Sequence, residues 1–214
     1  MSKLYLVVVD ILPRTDSMDF TLFVQKMCGI FAAYSNATKV VHRFKVSGES
    51  KIVAIFEVMN ILGMERTISG LWRLGGVKVT MTPVISYENF AKFLGASSKL
   101  TELNQSELPD DHLYWLQFDV EYTDKSIEDL MDIWKREAEK ILSARCEVGL
   151  PIQLYKVVLE RQVHAFVSVE SPEKLNELAF TLPLMQELGD KVHIKCKAVQ
   201  KLEIYSKKIL SDYM

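Results

Sequence analysis

Hydrophobic and polar positions follow two rhythms along this chain, and the rhythms change in the same order twice. Residues 113–121 alternate and are rich in aromatic and β-branched side chains, which spells a half-buried strand. Beyond Asp124 and Ser126, which offer N-caps, Ile127, Leu130, Met131, Trp134, Ala138, Ile141 and Leu142 recur at spacings of three and four and predict an amphipathic helix. Gly149 and Pro151 close that stretch. Residues 152–159 and 163–169 then read as two strands joined by a turn at Glu160-Arg161. Ser171-Pro172-Glu173 starts a second helix, because serine caps free amides and proline tolerates the first helical position. That helix carries Leu175, Leu178 and Ala179, and Gly189-Asp190 turns the chain into a last strand over 192–199. The predicted order is β-α-β-β-α-β.

The first half runs through the same order. A strand over 4–11 precedes a helix that starts near Ser17 and carries Phe20, Val24, Met27 and Phe31. Strands over 40–46 and 52–58 are joined by Ser47-Gly48-Glu49-Ser50, and Asn60 caps a second helix with Ile61, Met64, Ile68 and Leu71. Gly75-Gly76 breaks that helix before a strand over 77–84. A constant shift lays Phe44-Lys45-Val46 on Tyr155-Lys156-Val157, Glu49 on Glu160, Ala54 on Ala165 and Val58 on Val169. A repeat this long predicts a duplicated domain, since solenoid units are shorter and need several neighbours.

The expected fold is therefore α+β, two tandem ferredoxin-like domains. An N-terminal domain spans 1–94, a polar linker 95–112, a C-terminal domain 113–205 and a tail 206–214. Strand parity says what each sheet contacts. Ile52, Ala54, Phe56 and Val58, like Val163, Ala165, Val167 and Val169, make an apolar face for the helices. The opposite parity is mixed: Lys51, Val53, Ile55 and Glu57 in one half, Gln162, His164, Phe166 and Ser168 in the other. Such faces are too apolar to be left bare. The two sheets are expected to face each other as an intramolecular dimeric α/β barrel.

Composition narrows the function. Apolar residues make up 49% and charged residues 25%, which is ordinary globular composition, and the net charge of −2 gives no pull toward nucleic acid or acidic membranes. The opening apolar run holds an Asp and is too short for a signal segment or a membrane span. Three cysteines (Cys28, Cys146, Cys196) without CxxC spacing predict free thiols and a cytoplasmic location. Metal-ligand spacing, P-loop, GxSxG and GxGxxG are absent, so no metal and no cofactor are expected.

The second half resembles a known family. WKREAEKIL, GLPIQLYKVVLERQVHAFVSVESPEKLNEL and LPLMQELGDKV, with Leu182-Pro183-Leu184-Met185 and Ser171-Pro172-Glu173 as the most telling phrases, are similar to muconolactone isomerase and its relatives in the dimeric α/β-barrel superfamily. The resemblance implies an enclosed site, cofactor-free chemistry on a small organic acid or lactone, and assembly into homo-oligomers. Where that family carries a Trp-Arg pair and a nearby His, this chain has Tyr155, Lys156 and Glu160. The implied reaction is a proton shuttle, which needs a base or acid and a cation for the carboxylate.

The candidate catalytic residues are His164, Glu160 and Asp119, and the candidate substrate contacts are Lys156, Tyr155, Gln117, Ser168 and Trp115. His164 has two open readings, a proton-transferring residue oriented by a carboxylate or a hydrogen-bonded core histidine. Haem-degrading relatives of this architecture use a helix-borne axial histidine, whereas His42, His112, His164 and His193 all fall outside the predicted helices. The expected function is an isomerase-related small-molecule-binding protein. The alternatives are a non-catalytic ligand-binding or assembly module and a cofactor-free monooxygenase.

Overall fold

The computed structural model describes residues 3–13, 19–102, 107–122 and 124–211. In chain order the elements are β1 (Lys3–Ile11), α1 (Phe20–Ala32), β2 (Thr38–Val46), β3 (Lys51–Val58), α2 (Ile61–Leu74), β4 (Val77–Ser86), α3 (Tyr87–Phe93) and α4 (Ser98–Thr101). They continue with β5 (Leu113–Val120), α5 (Ile127–Glu147), β6 (Ile152–Val157), β7 (Gln162–Ser168), α6 (Pro172–Phe180), α7 (Pro183–Leu188), β8 (Val192–Lys201) and α8 (Leu202–Ser211). The expected helix start at Ser17 lies outside the described residues. Helix α1 is capped by Asp19, which accepts from the Thr21 amide at 2.6 Å. Ser126 and Ser171 cap α5 and α6 in the same way, each satisfying an amide that has no partner within its helix.

The chain divides into two compact units, Met1–Val84 with Val199–Met214, and Ile85–Ala198. In the first unit, Ile52, Ala54 and Phe56 of β3 are fully buried against Phe23, Val24, Met27 and Phe31 of α1 and Met64 of α2. In the second, Val163, Ala165 and Val167 of β7 meet Ile133, Trp134, Ala138 and Ile141 of α5. The apolar parity of each third strand thus finds its helices, as a period-two pattern against a period-3.6 stripe requires.

The sheets differ from expectation. The hydrogen-bonded strand order is β1-β3-β2-β8-β5-β7-β6-β4, and it closes into one eight-stranded antiparallel barrel instead of two ferredoxin-like sheets laid face to face. The last strand of each predicted half runs two residues further than its alternation shows, to Ser86 and Lys201. The end of β8 uses those residues to pair with β2, with Val46 opposite Val199, Lys45 opposite Gln200 and Phe44 opposite Lys201. Edge strands left open expose unpaired amides and carbonyls, and closure removes them.

Both units build their central hairpin turn alike. Lys45 donates from Nζ to the carbonyls of Val46 (2.6 Å) and Glu49, and Lys156 donates to those of Val157 (2.8 Å) and Glu160. Gly48 sits at φ 73° in one turn and Leu159 at φ 62° in the other. That left-handed geometry suits glycine and strains leucine.

Candidate functional site

In the second unit, antiparallel pairing of β5 with β7 sets Gln117 opposite His164 and Asp119 opposite Gln162, while β6 sets Tyr155 opposite His164. Trp115, Gln117, Asp119, Tyr155 and His164 therefore share one face of the sheet. A directed chain of hydrogen bonds runs across it. Trp115 Nε1 donates to His164 Nδ1 at 3.2 Å. Indole is a donor only, so Nδ1 must accept and the imidazole proton sits on Nε2. Nε2 lies 2.8 Å from Gln162 Oε1, and Gln162 Nε2 donates to Asp119 Oδ1 at 2.7 Å. Burial pushes the His164 pKa down to about 4 against a smaller opposing pull from Asp119, so the ring is neutral. The space around it is filled by rings: Trp115 stacks on His164 at 5.8 Å and on Phe166 at 6.3 Å, with Tyr155 edge-on to Phe166. Both nitrogens of His164 are engaged, which makes it a fixed member of the relay.

The other expected contacts lie elsewhere. Lys156 alternates with Tyr155 and points to the helix side with Ile152 and Leu154, its ammonium 5.5 Å from the Phe90 ring centre. Glu160 is exposed at the hairpin turn and contributes its backbone carbonyl to Lys156. Ser168 ends β7 and donates to the Asp111 carbonyl at 3.0 Å. No trio of His, Cys, Asp or Glu suited to a metal occurs among the described residues.

On the helix side of the same sheet lies a cavity of about 30 Å³, walled by α3, α5, α6, α7 and strands β5, β6 and β7. Leu116, Trp134, Ile141, Ala165, Leu178 and Leu182 represent its apolar lining, into which Glu137 brings a carboxyl and Tyr87 a hydroxyl. Glu137 is 6% exposed. Its Oε2 accepts from the Leu184 amide at 3.0 Å. Helix α7 has no side-chain cap of its own and Pro183 carries no N–H, so Leu184 offers the first free amide and α5 supplies its acceptor. No described residue donates to Oε1 of Glu137. Burial raises the Glu137 pKa to about 7, with the Leu184 bond a smaller opposing effect. Burial, the Glu137 charge and Tyr122 push the Tyr87 hydroxyl far up, which keeps it neutral. The stripe Trp134, Ala138, Ile141 carried the signal for this site: Glu137 is a charged residue set within an apolar row.

A second buried charge, Arg145 at the end of α5, pairs through Nη1 with Glu88 of α3, while its Nε and Nη2 have no partner among the described residues. Those atoms are sealed from solvent, so the pair ties α3 to α5.

No protein-family model and no curated protein matches the chain. Solved structures do. A mutant chlorite dismutase from Candidatus Nitrospira defluvii superposes with a TM-score of 0.63 at 12% identity, covering 97% of this chain and 96% of that one. The same organism's chlorite dismutase in complex with imidazole gives 0.61 at 13% identity, covering 97% and 95%. These findings overturn the resemblance to muconolactone isomerase, and the isomerase reading goes with it.

Haem does not fit the helix–sheet cavity as it stands. It needs a pocket of at least ~300 Å³ and an axial side chain with a free donor atom. Among the described residues no helix carries a histidine: His42 lies on β2, His112 before β5, His164 on β7 and His193 on β8. His164 has both nitrogens engaged, and the helix–sheet cavity is about 30 Å³. No described helix is long and apolar enough to cross a membrane. At 12% and 13% identity the likeness extends to architecture and no further: this chain has the fold of the chlorite dismutases.

Proposed function

We propose that this chain is a small-molecule-binding protein whose site is the helix–sheet cavity of the second unit, with Glu137 as its polar anchor. The carrying observation is the buried carboxyl itself: one oxygen holds α7, no described residue donates to the other, and apart from the Tyr87 hydroxyl the lining is apolar. A buried carboxyl costs stability unless its hydrogen bonds are met. A ligand with an apolar ring and one N–H or O–H meets both demands of the site. The cavity as it stands admits about one or two waters. A one-ring ligand therefore enters by displacing α6, of whose side chains only Leu175 is buried. His164, with both ring nitrogens hydrogen-bonded, is held as a structural member of the opposite face of the sheet and supports a binding site on the helix side.

Thermal unfolding and amide chemical-shift mapping with 4-methylimidazole, phenol and toluene test this reading. A binder at a hundred times its Kd stabilises by ~2.7 kcal/mol, or roughly 5–10 °C for a domain pair of this size. Its shifts should centre on Leu116, Ala165, Leu178 and Leu184. Failure of all three probes, or shifts confined to other regions, would overturn the proposal.

A further inference from the structure

The cavity's chemistry narrows the ligand class, an inference that rests on the binding reading above. We infer that the site selects a small weak base with a planar apolar body, of imidazole or amidine type, which donates an N–H to Oε1 of Glu137 while Oε2 stays on Leu184. Three features of the geometry lead there. Among the described residues Glu137 is the only carboxyl on a wall of aliphatic and aromatic side chains, and none of them donates to its Oε1. Tyr87 from α3 is the other titratable group facing it; β5, β6, β7, α6 and α7 contribute apolar side chains to the lining. Among the described residues no cation pairs with Glu137: Arg145 is taken by Glu88, Arg136 by Asp132 and Glu187 outside the cavity, and Lys156 by the hairpin carbonyls. A ligand cation is therefore the one charge partner this carboxyl gains.

The proton balance is simple. A neutral base meeting a protonated Glu137 takes the carboxyl proton onto its ring nitrogen, giving cation and carboxylate with no net exchange with solvent. A base already charged expels that proton to solvent on binding. Glu137 titrates near 7, as does an imidazole. Imidazole affinity should therefore peak near pH 7 and fall on both sides. Benzamidine, charged throughout, should instead bind more tightly as pH rises through 7 and then level off. Toluene should show no dependence.

The test is calorimetric titration of the whole chain with 4-methylimidazole, benzamidine and toluene at pH 5.5, 7 and 8.5. The expected result is a roughly tenfold affinity maximum at pH 7 for the imidazole and a roughly thirtyfold rise from pH 5.5 to 8.5 for benzamidine. In Glu137→Gln, which keeps an oxygen for Leu184, the benzamidine rise should vanish and the imidazole should lose its maximum, keeping only the one-sided dependence of its own protonation. Toluene binding as tightly as the bases, with flat profiles throughout, would overturn the inference and leave the binding reading standing. No binding by any probe would sink both. The wild-type profiles decide the matter even if the variant fails to fold.

Discussion

The indole N–H of Trp115 points at Nδ1 of His164 from 3.2 Å, and this contact fixes where the imidazole proton is. Every later donor in the chain points the same way, through Gln162 to the carboxylate of Asp119. A histidine held in one tautomer by a donor that cannot accept is poorly placed to shuttle protons.

The relay makes a stability prediction. His164 has a folded pKa of about 4 and an unfolded one near 6.5, so between those values the unfolded chain carries a proton that the folded chain refuses. Its contribution is complete above pH 6.5 and is lost on acidification toward pH 4, to a depth of ~3 kcal/mol. Chemical denaturation across pH 4–8 should show this slope, shared with the similarly depressed His42. His164→Ala should cost ~2–5 kcal/mol at pH 7, through a cavity and an orphaned indole donor, and leave the affinity for cavity probes unchanged.

Glu137 acts in the opposite direction. Its folded pKa, about 7, lies above its unfolded value, so the folded chain holds a proton that the unfolded one has lost. Stability falls as pH rises from about 4.5 to 7, by up to ~3 kcal/mol. Glu137→Gln should remove that fall and be the more stable protein at pH 8, measured by urea midpoint at unchanged slope.

Arg145 and Glu88 form a pair in which the charges matter more than the bond. Glu88→Gln leaves a buried guanidinium without its counter-charge and should cost ~3–5 kcal/mol, whereas the double replacement Glu88→Leu with Arg145→Met should be neutral or stabilising. A double-mutant cycle in guanidinium chloride reads both.

Leu159 is fully exposed and left-handed, where the sister turn has Gly48. Leu159→Gly should raise stability by ~0.5–1.5 kcal/mol and Gly48→Ala should lower it by a similar amount. Paired melting curves at low salt suffice, because neither side chain contacts the core.

Much of the element order was legible in the alternation of 113–121 and the three-four spacing from Ile127, since burial on one face writes itself into sequence. Barrel closure was not, because alternation shows which face is buried and not which strand an edge will join; the register of Lys45 opposite Gln200 leaves no periodic trace. Lys156 is a candidate substrate contact only through the family resemblance, whereas its parity with Ile152 and Leu154 puts it on the helix side. Trp115, His164 and Asp119 could be placed on one face by counting, but which nitrogen accepts depends on side-chain rotation. Glu137 escaped notice because a search for apolar periodicity passes over the polar residue within the stripe.

The most direct measurement is the carboxyl carbon shift of Glu137, followed by NMR against pH with and without benzamidine. The account predicts a midpoint near 7 in the free protein and a lower one when the cation is bound, with the Leu184 amide shift moving in step. A midpoint near 4.5 that ignores the added cation would mean that Glu137 is an ordinary solvated carboxylate and that the cavity holds no ligand.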